Sequence, residues 1–159
     1  MFDVIIPIYR ISKSFLTRCL ESVFDQTLDD YTVYVCDGTP VEHQDYDAQA
    51  LVESYGFNYF RQDPAHPLVS GARNQAVALG SNPFLAFLDG DDWWYDGYLR
   101  EVKEEIDNSL FDLLINNAND LFWESITEFI NINNKWSNNI ELFSNYKKIT
   151  IILINQINH

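Results

Sequence analysis

The chain has 159 residues, near the roughly 150 of a typical single domain, and its 47% hydrophobic content excludes a disordered tail. Ten Lys and Arg against 24 Asp and Glu give a formal net charge of -14, a surface that repels phosphate backbones and argues against nucleic acid as a partner. Cys19 and Cys36 belong to no C-x-x-C or Cys/His cluster, which argues against a disulfide scaffold or a structural zinc site.

In chain order, the first element is Val4-Ile-Ile-Pro-Ile-Tyr9, a nearly continuous β-branched run of the kind found in strands buried on both faces. Pro7 has no N–H to give a ladder, so it is expected where this strand leaves the sheet. Phe15, Leu16, Cys19, Leu20, Val23 and Phe24 then share one helical face, with Ser12 or Ser14 as N-cap. Tyr31 to Cys36 reads as a strand ended by the turn Asp37-Gly-Thr-Pro40. A helix is expected between about Asp45 and Tyr55, closed by Gly56 in the left-handed region. Phe57 to Arg61 is strand-like, 62–70 is a loop, and a helix is expected from near Gly71 to Gly80. Phe84 to Leu88 is a buried strand that runs straight into Asp89-Gly-Asp-Asp92. Tyr98 to Ile106 reads as helix and Phe111 to Ile115 as strand. Beyond residue 107, Asn occurs twelve times against three before it, and Gly and Pro are absent. A helix over Leu121 to Ile130 and a strand over Ile149 to Ile154 are the elements expected there.

Strands alternating with helices predict an α/β fold: an open, mostly parallel, Rossmann-like sheet flanked by helices in a single domain. Residues 1–107 would form the ligand-holding part and the Asn-rich residues 108–159 the rest of the same domain. Ligands of such sheets bind beyond the carboxyl ends of the strands, where the strand order reverses. Asp37 and Asp89 to Asp92 both follow a strand, so two acidic turns become one candidate site. The N-terminus carries no basic or apolar signal segment, and no run approaches the roughly 20 apolar residues of a membrane span. A cytoplasmic protein is expected, with peripheral attachment at a membrane through a partner left open.

The acidic cluster has two readings. Adjacent carboxylates repel, and a cation that bridges them to phosphates would neutralise the cluster; hard Mg²⁺ or Mn²⁺ suits such oxygen donors. Alternation puts Asp89 and Asp91 on one side of an extended segment. The plain alternative is a solvated turn at a strand end. An EF-hand is excluded because Trp94 stands where its sixth-position Gly is required. Trp93 and Trp94 either anchor the loop to the core or wall a sugar pocket with their flat apolar rings. Arg73, in the first turn of its expected helix, opposes the macrodipole and calls for an anion, either a phosphate or the Asp cluster. Asp37 serves equally as a turn former or as the acceptor for a base imide or ribose hydroxyl. His43, His66 and His159 show no ligand spacing. Neither a Walker segment nor G-x-G-x-x-G occurs, which weakens P-loop and dinucleotide readings.

Five segments, Val4–Tyr9, Leu20-Glu-Ser-Val-Phe-Asp-Gln-Thr27, Val33-Tyr-Val-Cys-Asp-Gly-Thr39, Gly71-Ala-Arg-Asn74 and Phe87-Leu-Asp-Gly-Asp-Asp92, stand in one order and spacing. Together they resemble the inverting family 2 glycosyltransferases of the GT-A fold, over residues 2 to about 100. The resemblance implies transfer of a sugar from a nucleoside diphosphate, UDP above all, to a hydroxyl of a carbohydrate or lipid-linked acceptor, as in polysaccharide biosynthesis. It implies Pro7, Ile8 and Tyr9 beside the base, Asp37 on the uracil or its ribose, and Arg73 near base and diphosphate. Asp89, Gly90 and Asp91 match the DxD motif, with Asp89 toward the ribose, Asp91 on Mn²⁺ or Mg²⁺, and Asp92 in support. Arg10 stands where the family commonly has Asn, and Cys36-Asp37 replaces the commoner Asp-Asp, so the aligned carboxylate is Asp37 unless Cys36 takes its place. Members continue well past this length through an acceptor region holding an Asp or Glu base. Nothing in the Asn-rich end matches it, so the chain reads as truncated or diverged there, with Glu124 the one base it offers beside Asp91 as the other catalytic carboxylate. Two other readings accompany this one: a nucleotide-sugar binder without its own base, and a flavodoxin-like receiver domain. The second is disfavoured because its acids should follow the first strand, whereas these follow the fourth.

Overall fold

The N-terminal apolar run forms β1 (Phe2–Ile8), buried along its whole length. It is followed by α1 (Lys13–Phe24), β2 (Tyr31–Asp37), a single 3-10 turn (Val41–His43), α2 (Ala48–Ser54), β3 (Asn58–Arg61), α3 (Val69–Leu79), β4 (Phe84–Phe87), α4 (Tyr98–Asn108), β5 (Leu113–Asn116) and β6 (Thr150–Ile154). This computed structural model describes residues 1–108, 113–116 and 150–154. The six strands make one sheet in the order β3-β2-β1-β4-β6-β5, each neighbouring pair parallel. The chain lays strands outward on one side of β1 and then returns to its other side, so the order reverses between β1 and β4. The strands expected at Phe111 to Ile115 and Ile149 to Ile154 correspond to β5 and β6. The expected helix over Leu121 to Ile130, and Glu124 within it, lie outside the described residues.

Pro7 explains how the sheet opens at that switch. Phe2 N–H donates to the Asp30 carbonyl and Gly38 N–H to the Ile8 carbonyl, so even-numbered residues of β1 bond toward β2. Leu88 N–H donates to the Ile5 carbonyl, so odd-numbered residues bond toward β4. Pro7 therefore faces β4, just past the last paired residues of that ladder, Ile5 and Phe87. Toward β2 the pairing runs on to Ile8 and Asp37. The strand thus leaves only one neighbour at Pro7, and the gap that results lies at the carboxyl rim.

Alternation along β1 builds two cores. Phe2, Val4, Ile6 and Ile8 pack with α1, α2 and α4 through Leu16, Cys19, Leu20, Val23, Val52, Leu99 and Val102. Ile5 turns the other way, to Cys36, Ala72, Ala76, Leu85 and Phe87 under α3. Ser12 caps α1 by accepting from Phe15 N–H at 3.4 Å, and Asp47 caps α2 by accepting from Ala50 N–H at 2.9 Å. Gly56 ends α2 with φ of 76°, as its sequence position predicts. The α1 stripe is narrower than its periodicity suggests. Phe15 and Phe24 are exposed, and Phe24 lies edge-on to Tyr55 at 5.7 Å. The buried pair Asp3 and Asn82 closes the opposite end of the sheet, Asn82 Nδ2 donating to Asp3 Oδ1 at 2.7 Å.

Beyond β1 the chain turns through Arg10, whose φ of 50° is left-handed. Its N–H donates to Thr39 Oγ1 at 2.8 Å and its guanidinium lies 5.3 Å from the Tyr9 ring. An L-residue with a long side chain is strained there, whereas Asn tolerates the region, which gives a physical reason for the Asn that the resemblance puts at this position. Arg10→Asn is expected to raise stability by about 1 kcal/mol, read as a higher urea midpoint at unchanged slope.

Candidate active site

Two clusters of side chains occupy the carboxyl rim, one on each face of the end of β1. On the face toward α3, the Asp89 carboxylate at the end of β4 accepts from Arg73 at 2.6 Å. The α3 helix begins at Val69, two residues before the expected start, so Arg73 sits in its second turn and the macrodipole argument does not apply to it. The anionic partner that argument called for is nevertheless there, in Asp89. Gly71 lies inside the helix rather than at its start, and a Cβ there would run into the His66 carbonyl. Arg73 Nε–H is buried with no acceptor among the described residues.

Asp89 to Asp92 form a turn closed by Asp92 N–H donating to the Asp89 carbonyl at 2.9 Å. Asp91 is exposed and Asp92 half-buried. Burial first, then the charges of Asp91 and Asp89, push the Asp92 carboxyl up to about 6. The folded state therefore holds this proton more tightly than the unfolded chain. Its stability falls as pH rises from the ordinary 3.8 through about 6 and stays lower above that. Asp92→Asn removes the penalty, so its melting temperature is expected to exceed the wild type's at pH 7 and to match it once both states are protonated, below 3.8. Thermal melts across that range check both sign and window.

Among the described residues, no group of three or more His, Cys, Asp and Glu is arranged to hold a metal ion. The donor set here is instead three carboxylates on one turn, Asp89, Asp91 and Asp92, the first already paired with Arg73. That chemistry fits Mg²⁺ or Mn²⁺, which bind through one or two carboxylates plus phosphates rather than in an all-protein cage.

On the other face, Asp37 is buried at the end of β2 and ringed by donors. Its Oδ1 accepts from Thr39 N–H at 2.7 Å. Its Oδ2 accepts from Tyr59 hydroxyl at 2.8 Å, Arg61 at 2.8 Å and Gln44 Nε2 at 3.2 Å. Arg61 also donates to the Thr39 carbonyl. Ile8, Ile11, Asp37, Thr39, Glu42 and Tyr46 line a cleft of about 190 Å³ beside it. Burial, then Asp37, pushes the Tyr46 phenol up to about 12, so it stays neutral. Sequence reasoning missed Gln44, Tyr59 and Arg61. The one signal that could have found any of them is the rule that ligands gather past strand ends, since Arg61 is the last residue of β3.

The two clusters share one rim. Ile8 and Ile11, which line the Asp37 cleft, are also the side chains Gly90 packs against, and a Cβ on Gly90 would lie 2.6 Å from Ile8 Cγ2. Pro7, Ile8, Tyr9, Asp37, Arg73 and Asp89 to Asp92 are thus gathered around the end of β1, and Glu124 lies outside the described residues. Trp94 is buried and stacked on Tyr98 at 4.9 Å, as the anchoring reading expects. Trp93 has the Arg18 guanidinium over its ring at 3.3 Å, so that face is closed to a sugar.

Comparison with known proteins bears on the family and the fold. The model of glycosyl transferase family 2 matches residues 3–155. The succinoglycan biosynthesis protein ExoW of Rhizobium meliloti (strain 1021) is 35% identical over 128 residues, covering 78% of this chain and 37% of that protein. The uncharacterized glycosyltransferase EpsJ of Bacillus subtilis (strain 168) is 26% identical over 118 residues, covering 72% of this chain and 33% of that one. The chain therefore spans about a third of the length of these relatives. Among solved structures, S. aureus TarS 1-349 superposes with a TM-score of 0.63 at 25% identity, over 74% of this chain and 37% of that one. Its complex with UDP gives 0.61 at 26% identity, over 72% and 34%. A parallel sheet that reverses its order beside an acidic turn, matched by the family over nearly all of its length, places the chain in glycosyl transferase family 2.

Proposed function

We propose that the chain holds a nucleoside-diphosphate sugar, UDP-linked, at the rim of its sheet and serves its transfer to an acceptor hydroxyl with inversion at the sugar carbon. The observation that carries this reading is Arg73. Its guanidinium is paired with Asp89 while its buried Nε–H lacks an acceptor among the described residues, and a phosphoryl oxygen supplies one. Complexes of TarS with UDP and with UDP-GlcNAc support the same donor class.

In this reading Asp37, with Ile8 and Tyr9, meets the uracil and ribose, and Arg73 meets the diphosphate. Asp91, with Asp89 and Asp92, would hold Mg²⁺ or Mn²⁺, which when bound stabilises the negative charge of the departing diphosphate. An acceptor hydroxyl attacks the anomeric carbon from the side opposite the leaving phosphate. The new C–O bond forms as the bond to the β-phosphate oxygen breaks, and that single displacement inverts the centre. A base must take the hydroxyl proton; Glu124 is the candidate in the C-terminal part. The name of ExoW supports a saccharide acceptor.

Calorimetry with UDP in the presence and absence of Mn²⁺ or Mg²⁺ tests the donor side, and a panel of UDP-sugars followed for slow hydrolysis tests turnover. Cation-dependent UDP binding is expected. Equal affinity without the cation would remove the metal from the proposal, no UDP affinity under any condition would remove the donor, and binding without turnover would assign the chain a donor-holding role alone.

A further inference from the structure

The segment from Leu20 to Thr27 matches the family pattern, yet none of its side chains lies in the cleft. Its contacts explain what it does. The loop from Asp89 to Gly97 has no regular structure to hold it, and residues of α1 and its C-terminal end fasten it point by point. Cys19 Sγ donates to the Asp89 carbonyl at 3.7 Å, and the Arg18 guanidinium covers Trp93. Ser22 Oγ accepts from Trp94 N–H at 3.1 Å while donating to the Cys19 carbonyl at 2.7 Å. Thr27 N–H donates to the Asp96 carbonyl at 2.8 Å. Gln26 does most. It is buried, its Nε2 donates to the Ser22 carbonyl at 2.9 Å and to the Tyr95 carbonyl at 2.7 Å, and its Oε1 accepts from Leu99 N–H at 2.9 Å. One amide thus joins the end of α1 to both the loop and the first turn of α4.

We infer that Gln26 and Ser22 are positioning residues for the acidic turn: they fix the chain on the carboxyl side of Asp91 and Asp92, as Cys19 and Arg73 fix it at Asp89. The inference rests on the proposed role of that turn toward a cation-bound diphosphate. An exposed carboxylate on an irregular loop is pre-organised only as well as the backbone on either side of it is held. Residues that orient first-contact ligands in this way commonly change metal affinity or activity by about 10- to 100-fold when lost.

The test compares two ligands of the same rim. Uridine reaches only the Asp37 side, whereas UDP with Mn²⁺ also needs the turn. In Gln26→Met, which keeps the side-chain length and loses all three hydrogen bonds, affinity for UDP with Mn²⁺ is expected to fall by about 10- to 100-fold while uridine affinity holds. Ser22→Ala is expected to show a smaller loss of the same kind, and Ser22→Thr, which keeps a hydroxyl, to restore it. Should Gln26→Met fail to fold, the Ser22 pair decides. Wild-type affinity for UDP with Mn²⁺ in the folded variants, or equal losses for uridine and UDP, would overturn the inference. A wild-type chain that binds no UDP at all would overturn the donor reading itself, and this inference with it.

Discussion

Asp91→Ala is expected to abolish the cation-dependent part of UDP binding and to cut any UDP-sugar turnover by about 100-fold or more, while the protein stays folded. The two halves of that expectation follow from different observations. Asp91 is exposed, so nothing in either core depends on it. Its charge is one of the causes that lift the Asp92 carboxyl, so removing it relieves repulsion, and the melting temperature is expected to hold or rise slightly. The loss of binding, by contrast, follows from the donor set. With Asp89 paired to Arg73, Asp91 is the carboxylate of the turn most open to a cation, and a variant without it leaves the half-buried Asp92 to act alone. Asp91→Asn keeps one oxygen donor and is expected to lose less than alanine. Calorimetry with and without Mn²⁺, run beside a thermal melt, separates the two halves. Unchanged UDP affinity in a folded Asp91→Ala chain would end the metal assignment.

Much of this was legible in the sequence because it rests on local composition. The β-branched run of β1, the left-handed Gly56 and the strand that breaks into Asp89 to Asp92 each follow from what those residues can do in isolation. What was not legible depended on distant partners. Gly71 looks like a helix start, yet it sits inside α3, where the close approach of the His66 carbonyl leaves no room for a Cβ. Phe15 and Phe24 keep helical spacing but fall at the margins of the stripe that β1 and β2 can cover. The bonds of Gln26 cross 69 and 73 positions, and no spacing rule reaches that far. Pro7 suggests a place where the strand leaves the sheet, but only the ladder toward β4 ends there while pairing toward β2 runs on to Ile8, a distinction that follows only from the register.

Asp37 shows the same contrast most sharply, and its removal is the second large effect. Asp37→Ala is expected to destabilise the fold by about 3 kcal/mol, because it strips the acceptor from Thr39 N–H, the Tyr59 hydroxyl, Gln44 and Arg61 at once. Arg61 is 40% exposed and can turn to water, which keeps the cost at the low end for a broken buried pair. Asn is no remedy: its amide oxygen can keep Thr39, but its NH₂ would face the donors now gathered on Oδ2. Removing the partner as well is different, since it leaves no unpaired guanidinium at the rim. The double variant Asp37→Ala with Arg61→Met is therefore expected to be more stable than the sum of its single losses predicts, with a coupling of about 1–2 kcal/mol from urea titrations in a double-mutant cycle. Ligand binding is expected not to follow. If Asp37 accepts from the base, the double variant regains stability without regaining uridine. If it regains both, Asp37 is a structural anchor of the β2 end, and the base is read by other residues of the cleft.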